Sequence, residues 1–377
     1  MPRFVLTTST FLSLLLLLEV PSVFGLIDYR KIISPPGGFM VVNVKPWDNP
    51  GNLRDSELIY RRKPGAVIVT EASGDLVNWL GISTDRRYPV NLKYDGRGFR
   101  NDKDLDSASI ALIGDSFVEG VLIPHDQLVS SQLQSALAVP VVNLGLSGYG
   151  PQQELIVLRR FALGLKPKVV LWFFFEGNDL LDVPRYESLV SRKEVSGDLD
   201  SVWERSFLRN ALFTLASRNA TKLQHDSIEA ARRSATFIKA DGTKETFYFA
   251  YGSEPLNAEE EESLKKAQSC FLEAAKLSAE AGTKFILVYV PSKFRVYKDL
   301  CEFPEDGYSK TWQPNKMPEQ MKQWAYDKHI EFLDLTPSLQ TVASKGELLY
   351  FPDDDHWNAY GNQVVATAIE RRIQPNR

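Results

Sequence analysis

A chain of 377 residues with 44% hydrophobic residues has ordinary globular composition and is long enough for one large domain with an appendage, or for two domains. Its formal net charge of −4 and isoelectric point near 5.8 leave no basic footprint for nucleic acid. Two cysteines, Cys270 and Cys301, are too few for a disulfide scaffold or the usual zinc site; one bridge or two free thiols remain open. Four histidines, His125, His225, His329 and His356, narrow the search for a general base.

Arg3 and the apolar run from Phe4 to Leu18 have the n-region and h-region pattern of a secretory signal, with Val23, Phe24 and Gly25 at a plausible cleavage point. Extended to Leu26, the run just reaches bilayer length, with Glu19 counting against a span. Residues 1–25 are therefore expected to direct export, either cleaved or kept as a membrane anchor. Residues 26–106 are punctuated by turn residues (Pro35 to Gly38, Asn49 to Gly51), with β-branched runs at Phe39 to Val44 and Ala66 to Thr70. They predict a small β-containing extension, followed by a glycine-rich turn at Gly96 to Asn101.

From residue 107 onward strands and helices alternate, the pattern of a parallel sheet with helical crossovers. Strands are expected at Ile110–Ile113, Val139–Asn143, Val169–Phe175, Lys284–Val290 and Ile330–Leu333. Helices are expected at about Gln127–Ala138, Gln152–Leu163, Ala258–Ala281, Pro318–Lys328 and Ala359–Arg372. An insertion at about 182–252 interrupts them. It reads as a helix near Ser201 to Leu223 and a hairpin over Thr236 to Tyr251, turning at Asp241-Gly242. The acidic run Glu259 to Glu262 suits the start of the following helix.

Ser116 follows the first core strand immediately, in the stretch Gly114-Asp115-Ser116-Phe117. A serine there is either a helix N-cap or a hydroxyl at the sheet edge where ligands bind in open α/β folds. Three later stretches bear on that choice: Asn143 to Gly150 (NLGLSGYG), Glu176 to Asp179 (EGND) and Asp353 to Asn362 (DDDHWNAYGN). With the Ser116 stretch they resemble, in order, the four blocks of the SGNH (GDSL-type) hydrolase superfamily. The resemblance covers residues 107–377. It implies a flavodoxin-like three-layer α/β/α sandwich on a five-stranded parallel sheet, and a serine esterase that needs no cofactor and no metal. The segment Gly96 to Asn101 also resembles a GFR-type segment of exported relatives.

The resemblance implies Ser116 as nucleophile and His356 as base, with the Ser116 N–H, the Gly148 N–H and the Asn178 side-chain amide as oxyanion donors. Two patterns compete for the acid. The usual DxxH spacing selects Asp353; a DxH spacing followed by tryptophan, as in alginate O-acetyltransferase-like relatives, selects Asp354. Asp354 is preferred because Trp357 and Asn358 follow, and Asp355 is adjacent to His356 and poorly placed for its Nδ1. Lys293, after the fourth strand, is expected to form a surface salt bridge rather than to touch substrate. The expected activity is hydrolysis of a small acyl ester, acetyl above all, on an acylated carbohydrate or cell-envelope substrate outside the cytoplasm. The alternatives are an O-acetyltransferase with the same triad, and a non-catalytic envelope-binding protein on the same fold.

Overall fold

The computed structural model describes residues 15, 17–27, 29, 51–82, 84–195, 202, 205–212, 215 and 227–374. The chain divides into two units, one of residues 1–44 with 188–226 and one of 45–187 with 227–377. In the first unit, residues 17–23 are helical. Glu19 there accepts hydrogen bonds from the Ser206 hydroxyl at 2.8 Å and from the N–H groups of Phe207 at 3.2 Å and Leu208 at 2.6 Å. A carboxylate far away in the chain thus caps the helical residues that begin at Phe207. Tyr29 packs edge-on against Phe207 at 5.2 Å. The start of the expected signal segment, the strand expected at Phe39 to Val44, and much of the helix expected at Ser201 to Leu223 lie outside the described residues. Among the described residues no helix is long and apolar enough to cross a membrane.

The second unit opens with two antiparallel pairs: β1 (Asn52–Asp55) with β2 (Ile59–Arg62), and β3 (Val67–Ala72) with β4 (Tyr88–Lys93). A short helix, α1 (Asp75–Leu80), lies between β3 and β4 in the chain. The core then runs β5 (Ile110–Gly114), α2 (Ser116–Glu119), α3 (Val129–Leu137), β6 (Val141–Gly145), α4 (Pro151–Val157), β7 (Val169–Phe175) and α5 (Asp179–Val195). After α6 (Ser227–Arg232) come the hairpin strands β8 (Ser234–Ile238) and β9 (Lys244–Tyr248), turning at Gly242 with φ +79°. The chain closes with α7 (Ala258–Glu280), β10 (Lys284–Val290), α8 (Lys293–Tyr297), β11 (Cys301–Glu302), α9 (Met317–Asp327), β12 (Glu331–Asp334), α10 (Thr336–Ala343) and α11 (Ala359–Ile373).

Five of these strands form an all-parallel sheet in the order β12-β10-β7-β5-β6, so the architecture is the flavodoxin-like sandwich expected. β5, β6 and β7 are buried along their whole length, as strands covered by helices on both faces must be. Alternate side chains divide between the two faces. Val169, Leu171 and Phe173 join the cluster of Val129, Leu133 and Ile369. Trp172 and Phe174 meet Phe271 of α7, each with ring centres 5.5 Å apart. The chain leaves β5 for β6 on one side and returns to β7 on the other, so the switch point, where open α/β sheets bind ligands, lies at the carboxyl ends of β5 and β7. Helices α8 and α10 were not anticipated, and the helix expected over 152–163 gives way to a π-helical turn at Leu158–Ala162.

A buried carboxylate joins the β extension to this sheet. Glu119, the last residue of α2, is 0% exposed. It accepts from Arg62 Nε at 3.0 Å and Nη2 at 3.3 Å, the Tyr94 hydroxyl at 2.6 Å, the Ser147 N–H at 2.8 Å and the Ser147 hydroxyl. Burial pushes this carboxyl upward, but Arg62 beside it and the bonds from Ser147 and Tyr94 outweigh that and bring its pKa down to about 2. Arg100 donates to the carbonyls of Glu119, at 3.0 Å, and of Gly120 and Ile123. Asn101 and Asn143 exchange two hydrogen bonds of 2.9 Å. The segment Gly96 to Asn101 is thus a turn that also grips the loop after α2.

Because an unfolded glutamate titrates near ~4.3, stabilisation from Glu119 is complete above that pH and is lost as pH falls toward the folded value. Glu119→Gln is expected to remove this acid limb from urea-unfolding curves and to lower stability at neutral pH by roughly 3 kcal/mol or more. Unchanged acid dependence in the variant would assign that limb to other carboxylates.

Candidate active site

β5 ends at Gly114, where a Cβ would fall 2.6 Å from the Val118 side chain and 3.1 Å from Phe173 Cβ. Asp115 then caps α2 by accepting the Phe117 N–H at 2.9 Å, and Gly120 ends it in the left-handed region at φ +63°. The result is a single-turn helix that presents Ser116 at its first position. The Ser116 hydroxyl lies 2.7 Å from His356 Nε2.

His356 sits in the loop before α11, whose start is capped by Asn358 through the Gly361 N–H at 2.9 Å. His356 Nδ1 is 2.6 Å from Asp354 Oδ1, and the same oxygen accepts the His356 backbone N–H at 2.8 Å. The two-residue spacing lets one carboxylate oxygen serve both groups. Phe117 covers the imidazole at 4.7 Å between ring centres and meets the buried Trp357 at 4.7 Å. Burial opposes charge on the pair. The imidazole next to Asp354 nevertheless holds that carboxyl at about 2, and Asp354 in turn raises His356. The other candidate acid, Asp353, points elsewhere: its Oδ1 accepts the Tyr88 hydroxyl at 2.5 Å.

Gly148 follows β6 at φ +78°, and a Cβ there would meet the Tyr60 hydroxyl at 2.8 Å. Among the described residues, its N–H and that of Ser116 meet no acceptor. Asn178 follows β7, and its carbonyl accepts the N–H groups of Leu181 and Asp182 at 2.8 Å. One N–H of its side-chain amide donates to Asp182 Oδ2 at 2.7 Å, leaving the second N–H of that amide group for another partner. Asp182 is itself held by Arg185 Nη1 at 3.0 Å. Burial raises Asp182 to about 6, against the pull of Arg185.

The sequence reading missed Asp75 and misplaced Lys293. Asp75, the first residue of α1, brings Oδ2 to 3.8 Å from His356 Nδ1. Lys293 was expected at the surface in a salt bridge, but it is 0% exposed and donates to the carbonyls of Phe351, Pro352 and Asp354 at 3.1, 3.2 and 2.8 Å. Its ammonium also lies over the rings of Phe247 and Phe249, at 5.6 and 5.7 Å. The reason is the run Asp353 to Asp355: three buried carboxylates need a cation beneath them. Asp75, Asp354 and His356 approach within 4.8 Å, a spacing a metal ion could use. Of these groups, His356 Nδ1 and Asp354 Oδ1 are engaged with each other, Asp354 Oδ2 accepts the Asp75 N–H, and Asp75 Oδ1 accepts the Asp355 N–H.

His125 pairs with Asp102 at 3.2 Å, His329 takes φ +58° after α9, and His225 lies outside the described residues. Cys270 and Cys301 are both free thiols.

Lys293→Ala would take the donor from the carbonyls of Phe351 and Asp354, while Pro352 keeps the Tyr248 N–H, and would leave the aspartate run without its cation. The expected loss is about 3–5 kcal/mol of stability in urea unfolding, the cost of an uncompensated buried charge. A change below about 1 kcal/mol would show that water replaces the ammonium at no penalty.

Residues 247–377 match the family described as the SGNH hydrolase-like domain of acetyltransferase AlgX. The matched part holds Lys293 and the Asp353 to His356 loop, while Ser116, Gly148 and Asn178 lie before it. No curated protein matches the chain. Solved structures that resemble it include a GDSL-like lipase from Bacteroides thetaiotaomicron, at 14% identity over 71% of this chain and 88% of that one, with a TM-score of 0.36. A mutant of Axe2, an acetyl-xylooligosaccharide esterase from Geobacillus, shares 15% identity over 71% and 95%, with a TM-score of 0.37. The acetyl xylan esterase AlAXEase shares 12% over 70% and 98%, with a TM-score of 0.38. The four sequence blocks resemble the SGNH superfamily, and over residues 247–377 the chain is similar to the SGNH hydrolase-like domain of acetyltransferase AlgX.

Proposed function

We propose that the protein is a serine esterase that removes a small acyl group, acetyl above all, from a carbohydrate ester through Ser116, His356 and Asp354. The observation that carries this reading is the relay from the Ser116 hydroxyl to Nε2 at 2.7 Å and from Nδ1 to Asp354 at 2.6 Å. In the proposed reaction His356 takes the hydroxyl proton as Oγ bonds to the ester carbonyl carbon. The carbonyl oxygen gains negative charge against the N–H groups of Ser116 and Gly148 and the Asn178 amide. Collapse breaks the bond to the sugar oxygen, which receives the proton from His356 and leaves the acyl group on Ser116. Water, deprotonated by the same imidazole, then frees the acid. Asp354 keeps the imidazole in one tautomer and stays ionised.

A line of rings supports a carbohydrate substrate. From His356 it passes through Phe117, Phe175 at 4.4 Å and Tyr251 at 5.5 Å to Trp79, again at 5.5 Å, whose indole is 46% exposed. An exposed indole offers an apolar face to a sugar ring. The match to an acetyltransferase domain favours a second reading, in which a sugar hydroxyl replaces water in the second half-reaction. Export, read from residues 1–25, belongs to the same proposal.

Ser116→Ala is expected to lower kcat on an activated acetate ester at least about a thousandfold without changing the unfolding transition. Wild-type turnover would remove Ser116 from the chemistry. Because Asp354 raises the base, kcat/KM for the unsubstituted protein is expected to rise with pH through an apparent pKa above ~6.5. Trp79→Ala is expected to raise KM for an acetylated oligosaccharide roughly tenfold while leaving the activated ester unaffected. Equal effects on both substrates would count against a sugar subsite. Acetate release measured beside acetyl transfer to an oligosaccharide separates esterase from transferase.

A further inference from the structure

We propose that Asp75, from the β extension, is a positioning residue that holds the Asp354 carboxylate in the plane of the His356 imidazole. The inference rests on the catalytic reading of His356 and Asp354. Asp354 Oδ1 already serves the imidazole and the His356 N–H. Its other oxygen, Oδ2, accepts the Asp75 backbone N–H at 2.8 Å, so bonds on both oxygens fix the carboxylate's rotation. The Asp75 side chain closes the clasp, with Oδ1 accepting the Asp355 N–H at 3.1 Å. One residue on, the Leu76 N–H donates to the Asp353 carbonyl at 3.3 Å. Gly74 packs so close to that carbonyl that a Cβ would lie 2.1 Å from it. The first turn of α1 therefore grips Asp353, Asp354 and Asp355 in succession.

The side chain must do this without competing for the imidazole. Its Oδ2 stands 3.8 Å from Nδ1, beyond hydrogen-bonding reach, whereas Asp354 stands at 2.6 Å. The charged groups that face it are Asp354, Asp355, His356 and Lys293. Burial first, then the two neighbouring carboxylates, hold the Asp75 carboxyl well above its usual range, against the pull of His356 and Lys293. A carboxyl that keeps its proton still accepts the Asp355 N–H. An asparagine at this position supplies the same acceptor oxygen and the same backbone N–H.

The test uses the full chain with Asp75→Asn, Asp75→Ala and Asp75→Glu. Its readouts are kcat and KM on an activated acetate ester, the thermal melt, and the downfield proton resonance of His356 Nδ1. Asp75→Asn is expected to keep kcat within about threefold and to retain the resonance. Asp75→Ala is expected to lower kcat at least about tenfold at unchanged KM, with the resonance broadened or lost. Asp75→Glu moves the carboxyl by one methylene and is expected to behave like Asp75→Ala; it decides the question if the alanine variant does not fold. Wild-type kcat and an intact resonance in Asp75→Glu or Asp75→Ala would overturn the proposal. Equal loss in Asp75→Asn and Asp75→Ala would overturn it too, by assigning the effect to charge. The resonance reports the Asp354–His356 geometry whether or not Ser116 is the nucleophile. A Ser116→Ala variant with full turnover would therefore defeat the catalytic reading and leave this test standing.

Discussion

The constraint on which the rest of the molecule depends is a negative charge with no water around it. Glu119 closes the one-turn helix behind Ser116, and its carboxylate finds donors from three separate parts of the chain: Arg62, Tyr94 and Ser147. A buried ion pair of this kind adds little net stability over a well-packed apolar substitute, because desolvation consumes much of the attraction. What it does impose is uniqueness. Any arrangement that moves Arg62 or the loop at Ser147 away leaves an uncompensated charge in the interior. The β extension is held against the sheet by that penalty, and Gly148, next to Ser147, is held with it.

The loop before α11 follows the same rule with the signs distributed differently. Asp353, Asp354 and Asp355 are all at least 97% buried, each near 2–3% exposed, and the Lys293 ammonium donates to the Asp354 carbonyl. Two of them are driven in opposite directions. Asp354, against the imidazole, is held at about 2, while burial lifts Asp355 to about 6 despite Lys293. Neighbouring residues of one type acquire different electrostatic characters from their partners alone.

Much of this was legible in the sequence where the physics is local. Buried parallel strands announce themselves as apolar runs, so the five core strands were readable within a few residues, and right-handed crossovers put the strand ends that carry the motifs on one edge. Ser116, His356, Gly148 and Asn178 each stand in a short block directly after a strand or before a helix, and the two-residue spacing from Asp354 to His356 suits a single carboxylate oxygen for both N–H groups. What could not be read were contacts whose partners lie far apart in the chain. Nothing around Gly74-Asp75 announces a link to the loop before α11. Lys293 looks like a surface residue because the carbonyls that bury it belong to residues 351–354. Arg100 likewise sits in a stretch that reads as a turn, and only the fold reveals the carbonyls it ties down.

The clasp between α1 and the aspartate loop spans 279 positions, and the contact between Ser116 and His356 spans 240. Closing loops of that length is slow compared with forming hairpins or helices, because the entropy of a long chain must be lost before any bond is gained. The proposed site is thus built from contacts that cannot form until the loop before α11 is in place. A chain still being synthesised holds Ser116 as an ordinary hydroxyl on a half-built sheet, with neither imidazole nor clasp in reach. Chain order alone keeps Ser116 and His356 apart until both ends of that long loop have been made.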